Sequence, residues 1–317
     1  MMFTTLRRLR AMGVMGMNRR NCDYTLMYNP RRLYPLVDDK LQTKHLAEAA
    51  GIAVPPLYGA VEAEWQIRHL GRLLENHPEF VIKPAHGSGG DGILVIDGRR
   101  KGLYHKANGV ILGEAELKYH VSNVLSGMYS LGGHPDQALV EYRVRFDSAF
   151  DAISYQGVPD IRIIVFLGVP VMAMTRLPTQ LSDGKANLHQ GAVGVGIDIA
   201  SGLTVSAVWQ NQPVTEHADT GESLLGFQVP DWDKLLDIAA RCYELTGLGY
   251  LGVDLVLDRT LGPLMLEMNA RPGLNIQIAN KAGLLPRLER VKSCGQALAS
   301  SSERVAFAKQ QFACAAE

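Results

Sequence analysis

Two apolar runs near the carboxyl end are broken at set positions by polar side chains: Leu251-Gly-Val-Asp254-Leu-Val-Leu, then Leu264-Met-Leu-Glu267-Met-Asn269. Asp258-Arg-Thr-Leu-Gly-Pro263 lies between them, and strong β formers around such a turn predict a hairpin. Side chains alternate along a strand, so Glu267 and Asn269 share a face, and Asp254 can meet them from the partner strand. Two carboxylates and an amide on an otherwise apolar hairpin are hard oxygen donors of the kind Mg²⁺ takes. The plainer reading is a solvated sheet face.

Upstream, the same patterning predicts alternating helices and strands. Asp38 to Ala50 has helical periodicity with caps at Asp38 and Gly51, and a second helix runs from Ala63 to Glu75. Phe80-Val-Ile-Lys83-Pro and Ile93-Leu-Val-Ile96 are strands flanking a glycine-rich loop, with a further strand at Lys101–Lys106. Glu114 to Leu131 reads as a helix, and Gln137 to Val144 as a strand ending in charge. Asp160 to Leu167 and Val169 to Arg176 flank a turn at Gly168. Asn187-Leu-His189-Gln-Gly191 to Gly196 leads to a loop, then a helix from Trp232 to Thr246. Leu284 to Ala299 reads as the last helix, followed by a fraying Ser- and Ala-rich tail. Asn18 to Val37, with two prolines and little periodicity, reads as extended, its Arg19, Arg20, Arg31 and Arg32 either solvated or open to an anionic substrate.

Composition narrows the function. The 317 residues are 47% hydrophobic, enough for a large domain or two lobes with a real core. The 32 basic and 32 acidic side chains give zero formal charge, which argues against a general nucleic-acid binder. Cys22, Cys242, Cys294 and Cys314 are scattered without a C-x-x-C pair, which indicates a reduced compartment without structural zinc. No apolar run approaches the roughly 20 residues of a membrane span. Residues 1–20 carry Arg7, Arg8, Arg10, Arg19 and Arg20 around a short Met- and Gly-containing stretch. They read as a basic helix on the protein's own surface, with peripheral contact to a partner or an acidic membrane as the alternative.

Gly87-Ser88-Gly89-Gly90-Asp-Gly92 fits G-x-G-x-x-G but sits between strands, whereas a dinucleotide fold needs it to open a helix. No Gly-Lys-Ser/Thr follows, so it is not a P-loop; Lys83 instead lies on the strand entering the loop. A strand–loop–strand flap of bare N–H groups can close over phosphates while a strand lysine reaches the same anion. An ordinary glycine turn is the competing reading.

The motifs Asp39-Lys40-Leu, Val81-Ile-Lys83-Pro, Gly87–Gly92, Leu139-Val-Glu141, Asp160-Ile-Arg162, Asn187-Leu-His189-x-Gly191, Gly252-Val-Asp254 and Leu266-Glu-Met-Asn269-Ala-Arg-Pro-Gly273 occur in one order. Together they resemble the ATP-grasp superfamily, and within it the RimK-like α-L-glutamate ligases, over about residues 38–290. The resemblance implies an α+β ATP-grasp fold with two lobes clamping ATP, an N-lobe over about 38–141 and a C-lobe over about 142–292. A basic segment, 1–37, would precede them and a tail, 293–317, would follow.

It also implies roles. Lys83, Gly87, Ser88, Gly89, Gly90 and Gly92 would contact the nucleotide, Glu141 and the backbone near Val144 the adenine edge, and Asp160 the ribose. Asp254, Glu267 and Asn269 would carry two Mg²⁺, with Mn²⁺ as an alternative ion. Arg162, Arg176 and Lys185 would stabilise developing charge, Lys185 also lying near the nucleotide. Arg271 would fix a substrate carboxylate. For each of these four cations an ordinary ion pair competes, and His189 is read as packed in its loop.

The activity implied is a cytoplasmic ATP-dependent carboxylate–amine ligase. It would work through an acyl phosphate and add glutamate or a similar amino acid to a peptide or small acceptor. The alternatives are a non-catalytic nucleotide-binding regulatory module and a kinase on the same fold. Several features depart from the glutamate ligases. Fewer than about forty residues stand where those enzymes carry a full N-terminal domain, so the N-terminal region is expected to be truncated. That leads to the expectation of a homo-oligomer or partner protein completing the acceptor site. Residues 114–135 and 145–157 look longer than their counterparts, and Lys185 stands in place of an arginine.

Overall fold

The computed structural model describes residues 6–87, 89–130, 132–294 and 298–314. They fall into two compact units. One comprises Asp38–His45 and Val54–Val144; the other comprises residues 6–37, Leu46–Ala53 and residues 145 onward. Helix α1, Lys40–Ala49, contributes residues to both.

The smaller unit holds strands β1 (Leu57–Val61), β2 (Phe80–Pro84), β3 (Leu94–Ile96), β4 (Gly98–Arg100), β5 (Leu103–His105), β6 (Ile111–Leu112) and β7 (Ala138–Glu141). They form an antiparallel sheet in the order β1-β7-β2-β3 and a second small sheet β4-β5-β6. Alternation sorts the first sheet's faces. Phe80, Ile82, Ala138 and Val140 point into a core with Leu117, Val121, Val124 and Leu125 of helix α2 (Glu114–Leu125). Lys83 and Glu141, at the opposite phase, are left on the other face. The expected helix of Ala63–Glu75 is a 3₁₀ segment, Glu64–His69, followed by the α-turn Leu70–Leu73. The helix expected through Leu131 ends at Leu125, because Gly127 adopts φ +83°; Leu131 lies outside the described residues.

The larger unit is built on β8 (Asp160–Phe166), β9 (Val169–Leu177), β10 (Val193–Ile197), β11 (Thr204–Trp209), β12 (Gln212–Val214), β13 (Tyr250–Asp258) and β14 (Gly262–Asn269). These form one antiparallel sheet in the order β12-β11-β10-β9-β8-β13-β14. Local chemistry sets the turns. Leu167 and Gly168, both at positive φ, join β8 to β9 as the two-residue turn the flanking twist favours. Asp258 caps the β13–β14 loop by accepting from Thr260 N at 2.9 Å and Leu261 N at 2.8 Å. Helix α3, Trp232–Thr246, spans the residues expected and covers one sheet face, its Cys242 lying 3.6 Å from Met265. Met265 pairs with Leu255, the neighbour of Asp254 at the opposite phase, so Asp254 points to the other face. On that other face Gly194 and Gly196 let the short helix Ile276–Ala279 lie against β10, since a Cβ at Gly196 would stand 2.5 Å from Ala279 O.

Three further expectations change. The stretch before Trp232, read as a loop, contains β11 and β12, whose two-residue Gln210-Asn211 turn lacks the usual glycine signal. The stretch 18–37, read as extended, is helical over residues 17–28, with a π-helical turn at Arg20–Thr25. Packing decides this: Tyr24 and Tyr28 meet Phe166 edge-on, with centroids 5.5 and 4.9 Å away. Asn29 donates to Tyr250 O at 2.7 Å and Ala270 O at 3.0 Å. The fraying tail is instead helix α5 (Ser301–Gln311), preceded by α4 (Leu285–Cys294). Ser300 and Glu303 form a capping box there, and Arg304 is buried against Glu244. Residues 1–5 and 315–317 lie outside the described residues. The rest of the basic N-terminal stretch docks on its own unit, with Met15 buried and its N–H 2.8 Å from Gln277 Oε1. No described helix is long and apolar enough to cross a membrane.

Candidate functional site

In the smaller unit the sheet face opposite the core carries a buried charge cluster. Glu141 Oε1 lies 2.5 Å from Lys83 Nζ, and its Oε2 lies 2.8 Å from Lys44 Nζ. All three side chains are buried. Burial pushes the Glu141 carboxyl up, and the two ammonium groups more than offset this and hold it below its usual range. Lys44 was not singled out from sequence. Its signal is helical phase, since Lys40 and Lys44 are one turn apart on α1. Lys40 Nζ donates to Gly87 O at 2.5 Å and so ties down the start of the glycine loop.

The loop is held at its far end too, where Gly92 O accepts a 3.0 Å contact from His120 Nε2. Between these anchors Gly89 and Gly90 take φ +68° and +84°, and a Cβ on either would meet open space. Bare, left-handed backbone is what a phosphate-approaching flap requires. Ser88 lies outside the described residues. His86, also missed from sequence, packs beside the loop with Nδ1 2.7 Å from Asp136 Oδ1. Val144 is partly buried, just beyond β7.

In the larger unit a polar row crosses the sheet. Asp160 and Arg162, two apart on β8, share a face; Asp160 pairs with Arg176 on β9, and Arg162 with Asp254 on β13. Asp254 in turn stands opposite Glu267 on β14, and Asn269 follows two residues on. Arg162 Nε donates to Asp254 Oδ1 at 2.7 Å, and its Nη2 to Oδ2. Arg176 grips Asp160 with the same two-pronged geometry, and its Nη2 also donates to Asp254 Oδ2 at 2.9 Å. Glu267 Oε1 accepts from Asn269 Nδ2 at 3.2 Å. Burial raises the Asp254 carboxyl, but the two guanidiniums outweigh it and hold it far below the usual range. Asp160 moves up instead, because burial and the Asp254 charge outweigh its own arginine.

Other candidates lie apart from this row. Arg271 is exposed, with its guanidinium over the Tyr34 ring, 5.5 Å from the centroid. Lys185 is exposed in the turn that follows Thr179. His189 is exposed rather than packed; its loop is ordered by Asn187 Oδ1, which accepts from His189 N at 3.0 Å. The competing ion-pair reading thus describes Arg162 and Arg176, whose partners are Asp160 and Asp254, while among the described residues Lys185 and Arg271 form no salt bridge.

The donor set suits a hard cation in type: two carboxylates in register and one amide. Among the described residues no three His, Cys, Asp or Glu side chains converge on a metal position. Three carboxylates face two guanidiniums in this row, which leaves one formal negative charge. That excess lies toward Glu267, the acid the arginines do not hold.

The sequence matches the family described as sugar-transfer associated ATP-grasp over residues 19–293. The chain belongs to this family. The superfamily expected from the motifs is therefore the one found, while the narrower likeness to glutamate ligases is not what the family describes. Among curated proteins no sequence matches. Solved structures similar to this ATP-grasp chain include the ATP-grasp ligase PsnB complexed with minimal precursor, at 14% identity and TM-score 0.46, covering 88% of this chain and 62% of that one. D-cycloserine synthetase DcsG is similar at 17% identity and TM-score 0.48, covering 83% of this chain and 72% of that one. D-alanine–D-alanine ligase from Bacillus anthracis, complexed with ATP, is similar at 14% identity and TM-score 0.44, covering 88% and 67%. The chain thus spans about three fifths of the length of PsnB.

Proposed function

We propose that this ATP-grasp protein is an ATP-dependent ligase that joins a carboxylate to an amine through an acyl phosphate. The observation that carries the reading is the Asp254–Glu267 register pair with Asn269 beside it, in a row whose formal charge is negative. Among the described residues Glu267 is the acid of that row that forms no salt bridge with either arginine.

In this reading Lys83 and the loop Gly87, Gly89, Gly90 and Gly92, with Ser88, take the phosphates of ATP, and Glu141 with the Val144 backbone takes the base. Asp160 reaches the ribose. Asp254, Glu267 and Asn269 would hold Mg²⁺, which would supply charge neutralisation to the phosphates. A substrate carboxylate oxygen attacks the γ-phosphorus, ADP leaves, and an acyl phosphate forms. An amine then attacks the acyl carbon, inorganic phosphate departs, the amine loses a proton, and an amide remains. Arg162 and Arg176, pre-ordered by their carboxylates, would balance charge as it develops. Lys185 and Arg271, both exposed, are left to meet a substrate carboxylate.

The family's description ties its members to sugar transfer, so carboxylates and amines carried on sugars belong among the substrates tried. The test is phosphate release from ATP over a matrix of carboxylates and amines, with mass spectrometry of products. Amine-dependent release with an amide product supports the ligase; a stable phosphorylated product would point to a kinase instead. One observation favours a second reading, a non-catalytic nucleotide-binding module. Asp254 is engaged by two guanidiniums, so only Glu267 and Asn269 stand free of arginine. Saturable ATP binding without turnover across the whole matrix would select that reading.

A further inference from the structure

On the larger unit, at the β10–β11 side of its sheet, lies a cavity of about 520 Å³, in the size range of small-molecule sites. Its lining divides into two kinds. Leu188, Val208 and Ile278 give it an apolar part, and the side chains of Gln190, Gln210 and Asn275 give it neutral amides. Asn211 and His189 add to the polar side, and among the described residues neither Asp, Glu, Lys nor Arg lines it.

Several features indicate a built site. The floor is rigid, because Gly191 O accepts both Thr179 Oγ1 at 2.9 Å and Trp209 Nε1 at 2.8 Å. Asn275 begins the short helix Ile276–Ala279 without using its side chain as a cap. Gln210 and Asn211 form the β11–β12 turn at φ +48° and +62°. Asn-Gly would relieve that turn, so the observed residues keep backbone strain while presenting two amides to the cavity.

The cavity also lies on the reactive side of the sheet. Gly194 is the register partner of Arg176, so both look to the same face, and Leu188 packs over Gly194 with its Cδ2 2.8 Å from where a Cβ would be. One strand spacing, roughly 5 Å, separates that column from Arg176.

We propose that this cavity seats a neutral polyhydroxylated group, a sugar moiety, of the substrate whose carboxylate or amine reacts at the row of Asp160, Arg176 and Asp254. Amides offer donors and acceptors to ring hydroxyls in any order, aliphatic side chains pack against ring C–H faces, and the lack of charge disfavours phosphate, carboxylate or ammonium groups. The proposal rests on the ligase reading for what the sugar is attached to, but not for sugar binding itself.

The test is calorimetric titration of the full chain, without ATP, with N-acetylglucosamine and glucose, and with glucuronate and glucosamine as charged counterparts. Saturable binding of a neutral sugar is expected, at least tenfold tighter than its charged counterpart. It should weaken at least tenfold in Asn275→Leu and in Ile278→Arg. Ile278 is an exposed side chain, so that variant tests the site even if Asn275→Leu melts early. No binding of either neutral sugar, equal affinity in wild type and Ile278→Arg, or preference for a charged sugar overturns the proposal. Because no ATP is present, a protein that binds sugar yet ligates nothing refutes only the ligase reading. One that ligates yet binds no neutral sugar refutes only this one.

Discussion

Asp254 and Glu267 face each other across the β13–β14 hairpin, yet the two guanidiniums of the sheet hold only Asp254. The two acids therefore differ in what they support. Asp254 is almost fully buried and balances Arg162 and Arg176; Glu267 is half-buried and bonded to Asn269.

Glu267→Gln is expected to remove most ATP turnover while changing stability by under about 1 kcal/mol. Asp254→Ala is expected to lose on the order of 3 kcal/mol, because two buried guanidiniums are left short of charge. Urea denaturation alongside phosphate release separates the two. Equal stability losses would show that the arginines do not depend on Asp254.

Lys83→Ala is expected to raise the KM for ATP at least tenfold while the protein stays folded, since Glu141 keeps Lys44 as its partner. Lys44→Ala should impair folding as well as binding, because Lys44 also donates to Pro55 O and ties α1 to the strand that follows. ATP titration with thermal melting distinguishes the two variants.

Acid should weaken the smaller unit through Glu141. Its carboxyl is held lower in the folded chain than in the unfolded one, so the unfolded chain binds the proton more readily. The stability this provides is present above the ordinary glutamate value, about 4.3, and is lost as pH falls through the folded value. Glu141→Gln should flatten the acid limb of a stability–pH curve; an unchanged slope would count against the Lys44–Glu141–Lys83 cluster.

Gly92→Ala is expected to cost about 1–3 kcal/mol, because φ is +75° and the new Cβ would lie 2.5 Å from the Tyr129 ring. Gly90→Ala meets no neighbour and should cost about 1 kcal/mol through φ alone. Both should raise the KM for ATP, and a thermal melt should rank Gly92→Ala as the less stable.

Asn29→Ala should destabilise the larger unit by about 3 kcal/mol, since it strands the backbone carbonyls of Tyr250 and Ala270 and the Tyr250 N–H. The helix of residues 17–28 should then detach. Faster amide exchange at the first residues of β13 in this variant would check it.

The sequence by itself determined what local rules govern. Period-two alternation and the Asp258–Pro263 turn specified the β13–β14 hairpin and put Asp254, Glu267 and Asn269 on one face. Caps and helical period marked Trp232–Thr246, and glycines between two strands marked the flap. Only the tertiary structure decided who meets whom across long separations. Asp254 is 92 residues from Arg162 and 78 from Arg176, and no local pattern records which acid a guanidinium chooses. The helix of residues 17–28 likewise exists because Tyr24 and Tyr28 find Phe166, a burial that outweighs weak local propensity. The amide-lined cavity is of the same kind: it draws on residues 188–192 ahead of β10, Val208 of β11, the Gln210-Asn211 turn and Asn275, which the chain brings together only once the sheet has formed.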